Sequence, residues 1–232
     1  MDPNIEMLLL AVKALEPLLE QIAFVGGCTT GLLITDAAAP PVRATMDVDV
    51  IVQIGSYTDF IELEHKLEQL GLTRCNEPNA PICRWRAGAV KIDVMPTESS
   101  VLGFSNKWYA AAIATAAEVQ VRGVYFRLIT APYFLGTKLE AFAGRGNGNF
   151  GASHDMEDII AVVDGRSEII DEVSQAPVEL RRYLANQFST LLDDPDFTDS
   201  ISGHLFPDDA SQARTPIIVR RLRALAKTST AE

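Results

Sequence analysis

Apolar residues recur at helical spacing from the start of the chain: Leu8, Val12, Leu15, Leu19 and Ile22, with Pro17 bending or dividing that helix. The pattern then shortens to an apolar run, Ile22–Val25, which ends at Gly26-Gly27 and reads as a strand. A short helix over Thr29–Ile34 and an Ala- and Pro-rich loop, Ala37–Pro41, follow. Met46–Ile54 is β-branched with period two, so it is a second strand, with Asp47 and Asp49 on one face and Val48 and Val50 on the other. Phe60, Leu63, Leu67 and Leu70 mark a helix closed by Gly71. Strands are expected at Ile82–Arg86 and Ala89–Met95 around a turn at Ala87-Gly88, then a helix over Trp108–Ala117 and a hairpin, Glu118–Arg122 with Val124–Ile129, around Gly123. From Pro132 onward the period is helical only, at Tyr133–Gly144, His154–Val163, Ser167–Ser174, Val178–Leu192 and Pro216–Lys227. These patterns predict strands interleaved with helices over 1–130, followed by a helical part over 131–232.

A length of 232 residues and 47% hydrophobic content allow a substantial core. No apolar run is suited to spanning a membrane, and the start, Met1-Asp2-Pro3-Asn4, lacks a basic signal region, so a cytoplasmic location is expected. Cys28, Cys75 and Cys83 are odd in number and lack C-x-x-C spacing, which favours free thiols over a zinc site or a disulfide framework. The net charge of -11 disfavours nucleic acid as a general partner unless basic charge is gathered locally. One such gathering exists: Arg214, Arg220, Arg221, Arg223 and Lys227 lie in a stretch, Ala210–Ala231, without an acid.

The carboxylates are the unusual feature. Asp47 and Asp49 stand side by side in an otherwise apolar strand, and Asp93 stands in another, "KIDV". Close carboxylates repel each other and are costly to desolvate, and a hard cation such as Mg²⁺ or Mn²⁺ relieves both problems. If the two strands are neighbours, the three acids suit a two-metal phosphoryl-transfer site. Gly26-Gly27, at a strand-to-helix turn, offers backbone N–H groups to a phosphate, with Thr29 and Thr30 as further donors. Taken singly, a glycine pair suits an ordinary turn and D-x-D suits a solvated strand edge. The ordered set favours a functional site.

The order "VGG…DVDV…KIDV" resembles the nucleotidyltransferase superfamily that includes DNA polymerase beta. The resemblance implies an α+β fold, a mixed sheet with flanking helices followed by a helical C-terminal part, with NTP as substrate, Asp47, Asp49 and Asp93 as metal ligands, and Asp93 as base for the incoming hydroxyl. A second motif lies downstream. Lys138, Phe142 and Arg145 share one helix face, a Gly/Asn-rich loop follows over Gly144–Gly151, and Ser153 is a candidate N-cap for a helix carrying Asp155 and Asp158. The spacing K-L-x-A-x-x-x-R…D-x-x-D resembles the AbiEii-type branch, the nucleotidyltransferase toxins of type IV toxin–antitoxin pairs used in phage defence. That resemblance implies nucleotide contacts for Lys138 and Asp155, with Arg145 and Asp158 supporting, an RNA acceptor such as a tRNA 3′ end, and an antitoxin partner. The basic C-terminal helix and Lys107-Trp108-Tyr109 are candidate acceptor contacts, and a plain solvated face or helix start is the alternative for each. Two other readings stay open: transfer to an aminoglycoside or lincosamide antibiotic, and a non-catalytic nucleotide-binding relative.

Overall fold

The computed structural model describes residues 2, 4–146 and 148–228. Asn147, inside the expected Gly/Asn-rich loop, and residues 229–231, at the end of the acid-free stretch, lie outside the described residues. In chain order the elements are α1 (Asn4–Ala14), β1 (Ile22–Val25), a 3₁₀ turn at Gly27–Thr29, α2 (Thr30–Leu33), β2 (Val48–Val52) and α3 (Tyr57–Gln69). Next come β3 (Thr73–Arg74), β4 (Arg84–Ala87), β5 (Val90–Pro96), α4 (Ser99–Leu102), α5 (Tyr109–Ala114), β6 (Ala117–Val121) and β7 (Val124–Leu128). Helices complete the chain: α6 (Ala131–Arg145), α7 (His154–Gly165), α8 (Ile169–Gln175), α9 (Val178–Leu192), α10 (Pro195–Ser200), α11 (Asp209–Gln212) and α12 (Thr215–Leu225). The mixed sheet and the helical C-terminal part are those expected. The strand β3 and the short helices α4, α10 and α11 have too few residues to show a period.

Two compact units result. The first comprises the chain to Gly31 together with Arg43–Thr130, and the second comprises Leu32–Val42 together with the chain from Ala131 onward. In the first, the seven strands run in the order β3-β4-β5-β2-β1-β7-β6. β2 pairs in parallel with β5, and β1 in parallel with β7, while β1–β2, β4–β5, β3–β4 and β6–β7 are antiparallel. Central strands β1 and β2 are buried at nearly every position, which explains their continuous apolar character. α1 packs its Leu8, Ala11 and Val12 stripe against β2, β5 and the glycine turn. Asn4, on that helix and 1% exposed, donates to the Arg43 carbonyl at 2.9 Å and accepts from the Thr45 N–H at 2.9 Å. The run leading into Asp47 is therefore pinned before β2 begins.

In the second unit, Phe134, Leu139, Ile159, Leu184, Phe188, Ile218 and Leu222 are buried among the helices. Ser153 caps α7 as expected, accepting from Met156 N–H at 3.3 Å. Nothing in the sequence period assigns Leu32–Val42 to this unit; its hydrogen bonds do. Thr35 and Asp36 N–H groups donate to the Gly165 carbonyl at 2.9 and 2.8 Å, and Arg166 donates to the Leu33 carbonyl at 2.7 Å. The segment comes so close that a Cβ on Gly165 would lie 2.8 Å from Ile34 Cγ2. Arg214 completes the seam, donating to Asp36 at 2.6 Å and to Asp164 at 2.7 Å.

The Asp164 side chain is only 2% exposed, so removing its guanidinium partner leaves a buried charge uncompensated. Arg214→Ala is expected to cost about 3 kcal/mol, read as a lower urea midpoint with an unchanged slope.

Candidate active site

Strand register brings the acids together. Asp49 on β2 lies opposite Asp93 on β5, and Asp93 lies opposite Arg84 on β4. On its other side Asp49 lies opposite Val25, one residue before Gly26. Arg84, Asp93, Asp49 and the glycine turn thus form one lateral row across four strands. Asp47, two residues before Asp49, is on the same face.

Gly26 is required twice over. Its φ of +77° with ψ of -173° falls where side chains are essentially excluded. A Cβ placed there would also stand 1.9 Å from Asp49 Oδ2. The Asp49 carboxylate therefore lies directly against the Gly26 backbone.

Sequence reasoning missed Arg84. Its guanidinium takes Asp93 in a bidentate grip, with Nε to Oδ1 at 2.7 Å and Nη2 to Oδ2 at 2.7 Å, and Nη2 also reaches Asp47 Oδ2. Its hydrogen bonds to Asp93, against the opposing effect of burial, hold this guanidinium above the usual arginine value. The turn expected at Ala87-Gly88 would pair Arg84 with Lys91; the observed two-residue loop is Gly88-Ala89, which pairs Ala87 with Val90 and so Arg84 with Asp93. The neighbouring Cys83 is buried, and burial, reinforced by the charges of Asp93 and Asp49, pushes its thiol up to about 12. It is no nucleophile at neutral pH. All three cysteines are free, as expected.

The carboxylate oxygens are hard donors, and register sets Asp49 beside Asp93, so the donor set suits a hard divalent ion by its chemistry. Two of the three acids are already engaged by Arg84. Among the described residues no group of three His, Cys, Asp or Glu side chains is arranged to hold a metal ion.

The glycine turn differs from expectation. The helix foreseen over Thr29–Ile34 is a 3₁₀ turn followed by one four-residue helix, so a helix dipole contributes little there. Thr29 is 0% exposed and its hydroxyl donates to the Gly26 carbonyl at 2.8 Å. The Thr30 hydroxyl is buried and meets no hydrogen-bond partner. Both threonines face the inside of the turn, and Gly27 is buried with them, so Gly26 is left as its phosphate-facing candidate.

The second motif forms a cluster in the second unit. Lys138 on α6 reaches Asp158 Oδ2 at 2.6 Å and Asp155 Oδ1 at 3.2 Å, and Arg145 grips Asp155 through Nε at 3.0 Å and Nη2 at 2.9 Å. Spacing alone suggests an exposed lysine; the structure corrects this, since the Lys138 side chain is 9% exposed and that of Arg145 71%. Burial pushes Asp155 up, but the hydrogen bond from Arg145 and the charge of Lys138 prevail and hold it below the usual carboxylate range. Of the basic C-terminal residues, Arg214 and Arg221 turn inward, Arg221 donating to the Val163 carbonyl at 2.9 Å. Arg220, Arg223 and Lys227 are exposed and line a shallow groove with Pro216 and Val219. Tyr109 is tied to Met95 Sδ at 3.3 Å, and the Lys107 ammonium lies 5.6 Å from the Trp108 ring centre.

No protein-family model matches the chain, and no curated protein matches it. Among solved structures it is similar to an antigenic nucleotidyltransferase-like protein from Paracoccidioides brasiliensis, at 21% identity and a TM-score of 0.46, covering 85% of this chain and 92% of that one. It is also similar to JHP933 from Helicobacter pylori, at 9% identity and a TM-score of 0.49, covering 99% of this chain and 94% of that one. Among the described residues no helix is long and apolar enough to cross a membrane.

Lys138→Ala leaves Asp155 and Asp158 buried without their shared cation, and is expected to cost about 3 kcal/mol in a denaturant titration. Asp155 has a lowered folded pKa. Its contribution is therefore present above the unfolded value of about 3.9 and is lost as pH falls through the folded value. Asp155→Asn should flatten the stability–pH curve below about pH 4.

Proposed function

We propose that the chain is a metal-dependent nucleotidyltransferase that moves NMP from an NTP to a hydroxyl acceptor on RNA. The observation that carries the reading is the Asp49 carboxylate, seated on the Gly26 backbone and in register with Asp93. A phosphate-approaching turn and two acids on adjacent strands are the parts that phosphoryl transfer needs side by side.

In this reading Asp47, Asp49 and Asp93 would hold Mg²⁺ or Mn²⁺. The ion supplies charge neutralisation of the triphosphate and eases ionisation of the acceptor. The N–H groups around Gly26 face phosphate oxygens. Asp93 takes the proton of the acceptor hydroxyl, whose oxygen bonds to the α-phosphorus while the bond to pyrophosphate breaks. No catalytic role is assigned to Cys83, whose thiol is buried and protonated, or to His65 and His154. Phosphate contact by the Lys138–Arg145–Asp155–Asp158 cluster, within the second unit, is a separate part of the proposal. Arg145 is its exposed member, able to exchange a carboxylate for phosphate without stranding itself in the interior.

An RNA acceptor is supported by Arg220 and Arg223, exposed on α12, and Lys227, exposed just past its end, in an otherwise acidic chain. A role as the toxin of a toxin–antitoxin pair goes with that acceptor, through the resemblance of the second motif.

Purified protein incubated with each α-labelled NTP, Mg²⁺ and total tRNA is expected to label RNA with one preferred nucleotide. Asp49→Ala should label none. Label on an added aminoglycoside or lincosamide, with RNA unlabelled, would replace the acceptor assignment. No transfer to any hydroxyl, with folded protein, would overturn the reading.

A further inference from the structure

The carboxylate row already has a cation. Arg84 occupies both oxygens of Asp93 and one of Asp47, with its side chain 17% exposed and that of Asp93 9% exposed. A bidentate guanidinium lies in the carboxylate plane and takes two of the roughly four lone-pair positions of Asp93. A divalent ion on the remaining positions would stand close to the guanidinium and repel it. Metal binding at Asp93 is therefore opposed while Arg84 grips it in this arrangement.

We propose that Arg84 is a built-in counterion that competes with the divalent cation for Asp93 and Asp47, so that metal is taken up only as Arg84 lets go. This rests on the reading of Asp47, Asp49 and Asp93 as the metal-holding set. The strand row explains why the device is needed. Asp49 and Asp93 are in register on neighbouring strands, and Asp47 follows on the same face. Without a cation the three would repel each other inside the sheet. Arg84 offsets that repulsion while no metal is bound. The cost is metal affinity, which falls by the fraction of molecules in which Asp93 is released. The guanidinium that leaves is a fork suited to phosphate oxygens, so a metal–nucleotide complex displaces it more readily than metal alone.

The test is Mn²⁺ binding by calorimetry and by electron paramagnetic resonance, without nucleotide, in the wild type, Arg84→Gln, Arg84→Lys, and Arg84→Gln combined with Asp49→Asn. Arg84→Gln is expected to bind Mn²⁺ at least about tenfold more tightly than the wild type. Its melting temperature should rise with Mn²⁺ more than that of the wild type does, and Arg84→Lys should fall between. Adding Asp49→Asn should abolish the gain. Equal affinity in wild type and Arg84→Gln, lost with Asp49→Asn, would overturn the competition and leave the metal-holding reading intact. No Mn²⁺ bound by any variant would overturn both. If Arg84→Gln does not fold, the wild type answers with ¹⁵N-labelled arginine, the Arg84 signal being assigned by its loss in Arg84→Lys. The Arg84 Nε–H should be slow to exchange with solvent and lose that protection at saturating Mg²⁺ with NTP. Protection unchanged while metal binds would overturn the proposal.

Discussion

Three carboxylates on one face of a sheet repel one another, and a positive charge among them offsets that repulsion. That constraint organises the first unit. Register sets Asp49 beside Asp93, and the hairpin of β4 and β5 delivers Arg84 to Asp93 from the other side. Asn4 holds the approach to Asp47. Gly26 gives up its side chain so that Asp49 can lie on its backbone. Each of these features has an ordinary structural cause, and together they leave an acidic row beside a turn that phosphate can approach.

The second unit uses charge differently. Lys138, Arg145, Asp155 and Asp158 balance to neutrality and fasten α6 to α7. Arg214 and Arg221 fasten α12 to α7 and to the crossing segment. A basic or acidic residue in a motif is therefore not by itself a surface charge awaiting a ligand. Burial decides, because a buried cation is committed to the carboxylates that compensate it. Arg145, Arg182, Arg220, Arg223 and Lys227 differ in being exposed.

Much of the architecture was legible in the chain because period two and period 3.6 are local properties. The strands carrying Asp47, Asp49 and Asp93, the Ser153 cap and the run of C-terminal helices follow from them. The juxtaposition of Asp49 and Asp93 was legible only as a condition, since register is set by the whole sheet. Arg84 was not read as the partner of Asp93, because placing the two-residue loop one position early, at Ala87-Gly88, sets Arg84 opposite Lys91. The buried state of Lys138 and of Thr29 was not readable. Helical spacing tells which residues share a face but not what covers that face. The commitment of Leu32–Val42 to the helical unit depends on backbone carbonyls of Leu33 and Gly165, which no side-chain pattern reports.

The central claim is that Asp49 and Asp93 are the metal-holding pair of a nucleotidyl-transfer site. Anomalous diffraction from crystals grown with Mn²⁺ and a non-hydrolysable NTP tests it most directly. The account predicts a Mn²⁺ peak at about 2.0–2.2 Å from oxygens of both residues, with the triphosphate against the Gly26-Gly27 turn and Arg84 turned away from Asp93. Bound nucleotide with its Mn²⁺ remote from both acids, and Arg84 still gripping Asp93, would contradict it.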